Sequence, residues 1–221
     1  MHDRQRRISR YHAGRLIDFR PLLDARKELQ GRYGARLGGP VTVISLLAWG
    51  LAHHETFRGR RFLCTVDVPA GGGRARTIGF VSIQPSLYFH DGGRGGGFLA
   101  YQREFTGQLD KARRRAGMFH TLLGGLCVWH PALLQLLGQV LRPVLPQLVG
   151  SVGITTVKGA DLFVAPSADL IEEGFIAFGN FRIPTRDGHT AGWVSVKGSR
   201  EAAERYPAVI GEVIADIRRL L

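Results

Sequence analysis

A chain of 221 residues with 44% hydrophobic and 22% charged residues has the length and balance of a single domain with a real core, and this composition excludes a disordered protein. Lysine and arginine number 30 against 18 aspartates and glutamates, a formal charge of +12, so a strongly favoured partner is anionic. The basic residues lie in small scattered groups, Arg4 to Arg10, Arg58 to Arg61, Arg103 to Arg115, and Arg218 with Arg219, without a nucleic-acid motif or interleaved aromatics, which argues against nucleic acid and for a phosphate-bearing small molecule such as coenzyme A.

Met1 to Arg10 reads as a flexible basic arm, extending as far as residue 15, or as an edge segment, with no apolar region of signal-peptide type after the charged start. Leu16 to Arg20 is a short strand candidate. Pro21 suits the first turn of a helix running to about Tyr33, with Leu22, Leu23, Ala25 and Leu29 on its apolar stripe, and Gly38-Gly39-Pro40 stops it. Val41 to Phe57 is dense in apolar residues and reads as a helix buried on most sides. At its end the helix dipole favours protonated His53 and His54; adjacent residues face different directions, which argues against a metal pair.

Arg60 to Pro69 and Arg76 to Ser86 alternate as neighbouring strands around a glycine turn. That turn, Gly71 to Gly73, lacks the Gly-Lys-Ser/Thr of a phosphate loop. A second glycine cluster, Gly92 to Gly97, precedes a helix from about Phe98 to Ala116. His120 to Val149 is rich in leucine, but Pro131, Pro143 and Pro146 with His120, His130 and Arg142 divide it into pieces too short or too polar to span a membrane. A pair of short helices, without stable membrane insertion, is expected there.

Gly150 to Gly159 reads as a buried strand closed by glycines. Thr155 and Thr156 stand near its end, where a hydroxyl facing a cavity can donate to a developing oxyanion; the alternative is ordinary strand residues, one facing in and one out. Leu162 to Ala165, Glu173 to Gly179 and His189 to Val196 follow as strand candidates, and Ser199 is the expected N-cap of an amphipathic helix to Leu221. The sum is an α/β protein, a mixed β-sheet flanked by helices. Cys64 and Cys127 form neither a disulfide framework nor a zinc pattern, so they read as core residues of a reduced, cytoplasmic protein with no metal site.

Leu16-Ile-Asp-Phe-Arg-Pro-Leu-Leu-Asp-Ala-Arg-Lys27, Val41 to Ala52 and, most specifically, Pro131 to Gly159 carry a resemblance. They are similar to the first strand and helix, the buried second helix and the Gly-(Ser/Thr)-x-x-x-Thr-Ser-x-Gly segment of the catalytic domain of the 2-oxo-acid dehydrogenase acyltransferases. That family of dihydrolipoamide acyltransferases shares its fold with chloramphenicol acetyltransferase. The resemblance implies a homotrimer with active sites between subunits, and a channel that admits acyl-CoA as co-substrate and a small-molecule partner from opposite ends. It implies the oxyanion-stabilising role for Thr156; Lys158 stands where the family has glycine.

The family's His-x-x-x-Asp-Gly base motif is replaced by Lys197-Gly-Ser-Arg-Glu-Ala-Ala203. A base must then come from His189, His120 or His130, each of which also reads as a loop, capping or core residue. Lys197 is a candidate anchor for a coenzyme phosphate, with Lys158 and Ser199 beside it as cofactor-binding residues. No lipoyl or subunit-binding module is seen, so the chain reads as a free-standing core. Three functions stay open: acyl-CoA-dependent transfer to a hydroxyl of a small biosynthetic intermediate, a repurposed channel for cyclisation or elimination on a small apolar substrate, and a non-catalytic trimeric subunit.

Overall fold

Each described strand divides its residues between two faces of one mixed sheet, and the two faces meet different surroundings. The structure, a computed structural model, describes residues 11–69, 76–89, 96–129, 150–157, 174–184 and 190–221. Six strands, β1 (Tyr11–Asp18), β2 (Phe62–Pro69), β3 (Arg76–Ile83), β4 (Val152–Val157), β5 (Gly174–Pro184) and β6 (Thr190–Gly198), lie in the order β1-β6-β5-β4-β2-β3. The pairs β2–β4 and β4–β5 are parallel; the other three are antiparallel. The α-helices among the described residues are α1 (Arg20–Tyr33), α2 (Val43–His53), α3 (Gly96–Trp129) and α4 (Arg200–Asp216).

One face is covered by helices. Cys64, Val81, Ile154, Ile176, Phe178 and Val196 project from it into a buried cluster with residues of α1, α2, α3 and α4. Helix α2 is the hub of that layer. Its capping box, in which Thr42 Oγ1 accepts from Ser45 N and Ser45 Oγ accepts from Thr42 N, fixes its start. Leu46, Leu47 and Leu51 are fully buried, each stabilising by about 1.5–3 kcal/mol relative to exposure. Gly50 lets α2 approach the end of α4: a Cβ there would stand 2.7 Å from Ile217 Cδ1 and 2.8 Å from Val213 Cγ1. Trp49 Nε1 donates to Leu220 O at 2.8 Å, and the buried Tyr101 hydroxyl donates to Ser45 O at 2.8 Å, tying α4's end and α3 to the same hub.

Gly150 sets the entry to β4. Its φ is +139° and a Cβ would stand 2.8 Å from Leu63 N and 2.9 Å from Arg61 O, so only glycine fits against the backbone of β2. Ser151 N then donates to Arg61 O at 3.0 Å, and the parallel pairing starts from there.

Several expectations are corrected. Residues 11–15, read as part of a flexible arm, belong to β1; their backbone pairs with β6 from Tyr11 opposite Gly198, while the exposed side chains of an edge strand give no apolar signal. Helix α3, expected to end near Ala116, runs on to Trp129, so His120 to Trp129 continues it. The remainder of the leucine-rich stretch, 130–149, and Leu162 to Ala165 lie outside the described residues. His53 is half-buried, with its ring centroid 3.9 Å from that of Phe89. Desolvation holds its pKa below the usual imidazole value, Arg58 adds to this, and the bond between Nδ1 and Trp49 O at 3.0 Å only partly offsets it. Burial outweighs the dipole that was expected to favour the protonated ring.

Candidate functional site

Alternation along β6 sends Val194 and Val196 into the core, so Trp193, Ser195 and Lys197 project from the opposite face. The register carries that face across the sheet. Ser195 lies opposite Gly14 of β1 and Ala177 of β5, Ala177 opposite Thr155 of β4, and Thr155 opposite Thr65 of β2. With neighbouring strands about 4.8 Å apart, Gly14, Ser195, Ala177, Thr155 and Thr65 form one lateral row of small side chains and hydroxyls. Bulkier rows flank it. On one side stand His12, Lys197, Phe175, Gly153 and Leu63, and on the other Leu16, Trp193 and Gly179, so the walls are bulky toward β1 and β6 and low at Gly153 of β4 and Gly179 of β5. The row is thus the floor of a shallow trough.

The trough is partly desolvated. Leu63, Phe175 and Ala177 are buried although they lie outside the core cluster. Trp193 spreads its indole over Gly14, where a Cβ would come within 2.7 Å of Cε2. Within the trough, Ser195 Oγ and His12 Nε2 are 2.5 Å apart; Ser195 is 2% exposed and His12 is exposed. Thr65 Oγ1 donates to Ile154 O at 3.5 Å, a backbone contact that directs it toward β4.

The residues expected from the sequence fall in different places. Thr156 shares its face with Val152 and Ile154 and lies opposite Phe178, so alternation puts it on the helix-covered side, half-buried; Thr155 is the threonine on the trough. Lys197 is half-buried in the flanking row, directly opposite His12 and Phe175. Ser199 is exposed and its Oγ accepts from Ala202 N at 3.1 Å, which makes it the N-cap of α4. It also borders a cleft of about 580 Å³ with Arg60, Arg205, Glu55 and Glu201. The two carboxylates there oppose a phosphate, and Arg205 is already paired with Glu201 at 2.8 Å. His120 lies on α3 with its side chain outside the description. His130, His189 and Lys158 lie outside the described residues.

His12 and Ser195 escaped the sequence reading. The alternation Val194-Ser195-Val196 marks Ser195 as facing away from the core, and Val152-Gly153-Ile154 marks Thr155 in the same way. Nothing local marks His12, whose partner is 183 positions away in the chain. Among the described residues no group of three or more His, Cys, Asp or Glu gathers as metal ligands. Among the same residues no helix is long and apolar enough to cross a membrane.

No family model matches the chain, and no curated protein matches it in sequence. Solved structures do share its fold. The truncated catalytic core of the 2-oxoacid dehydrogenase multienzyme complex from Thermoplasma acidophilum is similar with a TM-score of 0.56 at 16% identity, over 98% of this chain and 97% of that one. A dihydrolipoamide acetyltransferase from Azotobacter vinelandii is similar with 0.55 at 14% identity, over 97% and 84%. A probable dihydrolipoamide acetyltransferase from Listeria monocytogenes is similar with 0.56 at 8% identity, over 95% and 86%. At these identities the likeness establishes the fold, a mixed six-stranded sheet with flanking helices as in these acyltransferase cores.

Proposed function

We propose that the chain moves an acyl group from acyl-coenzyme A to a hydroxyl of a small biosynthetic intermediate, as a homotrimer. The observation that carries this reading is the lateral row of hydroxyls and small side chains beside His12 on the face away from the helices. A carbonyl lying in that trough meets Thr155, whose hydroxyl can donate to the oxyanion of the tetrahedral intermediate. Thr155 therefore takes the role that the resemblance gave to Thr156. Lys197 supplies a cation at the edge of the trough for the phosphates of the donor. His12 is the imidazole seated there; His189, which directly precedes β6, and His120 and His130 are the other candidates for the base that takes the acceptor's proton. The likeness to acetyltransferase cores supports acyl transfer, while the coenzyme donor and the trimer rest on the resemblance of the sequence.

Incubation with acetyl-coenzyme A and a panel of alcohols, following free thiol, tests the transfer, with coenzyme binding measured by calorimetry. Thiol release that depends on the alcohol and falls by about 10²-fold or more in Thr155→Ala is expected. Absence of both thiol release and coenzyme binding would overturn the reading. One observation favours a non-catalytic subunit instead. The segment after β6, where the resembling family carries its base, is here the Ser199-capped start of α4, with no imidazole. A trimer that binds coenzyme A without turnover would support that second reading.

A further inference from the structure

We propose that Ser195 is a nucleophilic hydroxyl with His12 as its base, and that the pair takes an activated acyl ester or thioester to form an acyl-serine. The established geometry is specific. In register His12 lies opposite Lys197, one row away from Ser195, so its ring must lean diagonally to bring Nε2 to 2.5 Å from Oγ. Strand pairing alone does not require that contact, because the backbones of β1 and β6 are already paired along the whole of β1.

The surroundings suit a nucleophile. The two lateral neighbours of Ser195 are Gly14 and Ala177, so no side chain larger than a methyl group stands beside its hydroxyl in the same row. Ser195 is 2% exposed, and removal from water strengthens its hydrogen bond to the imidazole. His12, by contrast, is exposed. The base thus has access to open space while the hydroxyl it serves is sheltered. A Ser–His pair within hydrogen-bond reach is the arrangement that activates an otherwise weak hydroxyl.

The step balances without a further reactant. Ser195 Oγ attacks the acyl carbon, and as the Oγ–C bond forms its proton passes to His12 Nε2. Collapse of the tetrahedral intermediate breaks the C–S or C–O bond of the donor, and the proton moves from His12 to the departing thiolate or alkoxide. Water or an acceptor hydroxyl releases the acyl group by the reverse sequence. This route goes beyond direct transfer between two bound substrates and does not depend on coenzyme A as donor.

The test uses the full chain with p-nitrophenyl acetate, rapid acid quench and peptide mapping by mass spectrometry. The expected result is acetyl on Ser195, absent in Ser195→Ala, and acylation slowed by about 10²-fold to 10⁴-fold in His12→Gln. Glutamine keeps a hydrogen bond to Oγ but cannot take the proton, and matching circular dichroism shows that the variants are folded. No acetyl on Ser195 of the folded wild type, acetyl on lysines alone, or an unchanged rate in His12→Gln overturns the proposal. Should Ser195→Ala fail to fold, mapping on the wild type and the His12→Gln rate decide. Repeating the experiment with acetyl-coenzyme A separates the two readings. Labelling by the ester alone leaves the nucleophile standing while the coenzyme donor falls; thiol release to an alcohol without acetyl-Ser195 does the opposite.

Discussion

Trp193 of β6 lies across Gly14 of β1, so close that a Cβ on Gly14 would overlap Cζ2 and stand 2.7 Å from Cε2. The indole and the missing side chain occupy one space, next to Ser195, which is Gly14's partner in the register. Gly14→Ala is therefore expected to displace the ring and destabilise the protein by about 1–3 kcal/mol, as overpacking does. In a Trp193→Ala background the same substitution should cost markedly less, because its obstacle is gone. Urea denaturation of the four proteins in this cycle measures the coupling; equal costs in both backgrounds would refute the shared-space account.

Gly150 is a stricter case. Its neighbours are backbone atoms, Leu63 N and Arg61 O, which cannot rotate away as a side-chain tip can, and its φ of +139° is strained for any residue with a Cβ. Gly150→Ala is expected to cost at least about 2 kcal/mol and to loosen the bond from Ser151 N to Arg61 O that starts the β2–β4 pairing. Hydrogen exchange at Ser151 and Val152 should accelerate before the rest of the sheet. Unchanged stability and exchange would show that β4 is held by its later pairs alone.

These two glycines also mark what the sequence could and could not disclose. The glycines bracketing β4, the alternation of β2 and β3, the dense apolar run of α2 and the Ser199 cap of α4 are local patterns, and each element stands where its pattern points. The length of β1 was hidden, since an edge strand needs only one apolar face and Tyr11 to Leu16 are mostly exposed. The trough was hidden for a different reason. It depends on register between β1 and β6, strands at opposite ends of the chain, and a one-residue slip would exchange Ser195 for a valine. Parity within β4 was readable: Val152 and Ile154 fix the covered face, which leaves Thr155 and not Thr156 for the trough.

Ser199 offers a direct separation of structural from functional roles. Its Oγ accepts from Ala202 N at 3.1 Å, and it borders a cleft that also holds Glu55 and Glu201. Ser199→Ala is expected to lower stability by about 1 kcal/mol, the usual cost of losing an N-cap. Coenzyme A binding, where found, should be unchanged, whereas Lys197→Ala should weaken it. Loss of coenzyme affinity in Ser199→Ala at full occupancy of the folded state would restore it to the binding site.

His53 sets an acid limit. Its neighbours are the rings of Trp49 and Phe89, with Arg58 as the nearby charge, and its pKa in the folded protein lies below the usual imidazole value, chiefly through desolvation. The unfolded chain therefore takes up the proton first, at about pH 6.5. The stability associated with the neutral ring is complete above that pH and is lost as pH falls toward and through the lower folded pKa. His53→Gln should flatten the decline in urea midpoint between about pH 7 and pH 5; an identical decline in both proteins would assign it to other groups.

The alkaline limit follows from two groups displaced the other way. Cys64 and Tyr101 are both fully buried, and desolvation raises the pKa of each; Tyr101 in addition keeps its proton in the bond to Ser45 O. Below about pH 8.5 both groups are protonated in the folded and unfolded chains, so neither contributes a slope. Above it the unfolded chain ionises at Cys64 while the folded protein does not, and stability falls by about 1.4 kcal/mol per pH unit. Tyr101 adds a similar slope above about pH 10. Cys64→Ala should remove the first slope and Tyr101→Phe the second, the latter at a cost of about 1 kcal/mol at neutral pH for the lost hydrogen bond. Iodoacetamide should likewise reach Cys64 only through opening of the fold, so its labelling rate at pH 8, resolved by peptide mapping, should rise with urea in step with unfolding. Rapid labelling of Cys64 in the native protein would contradict the burial on which both slopes depend.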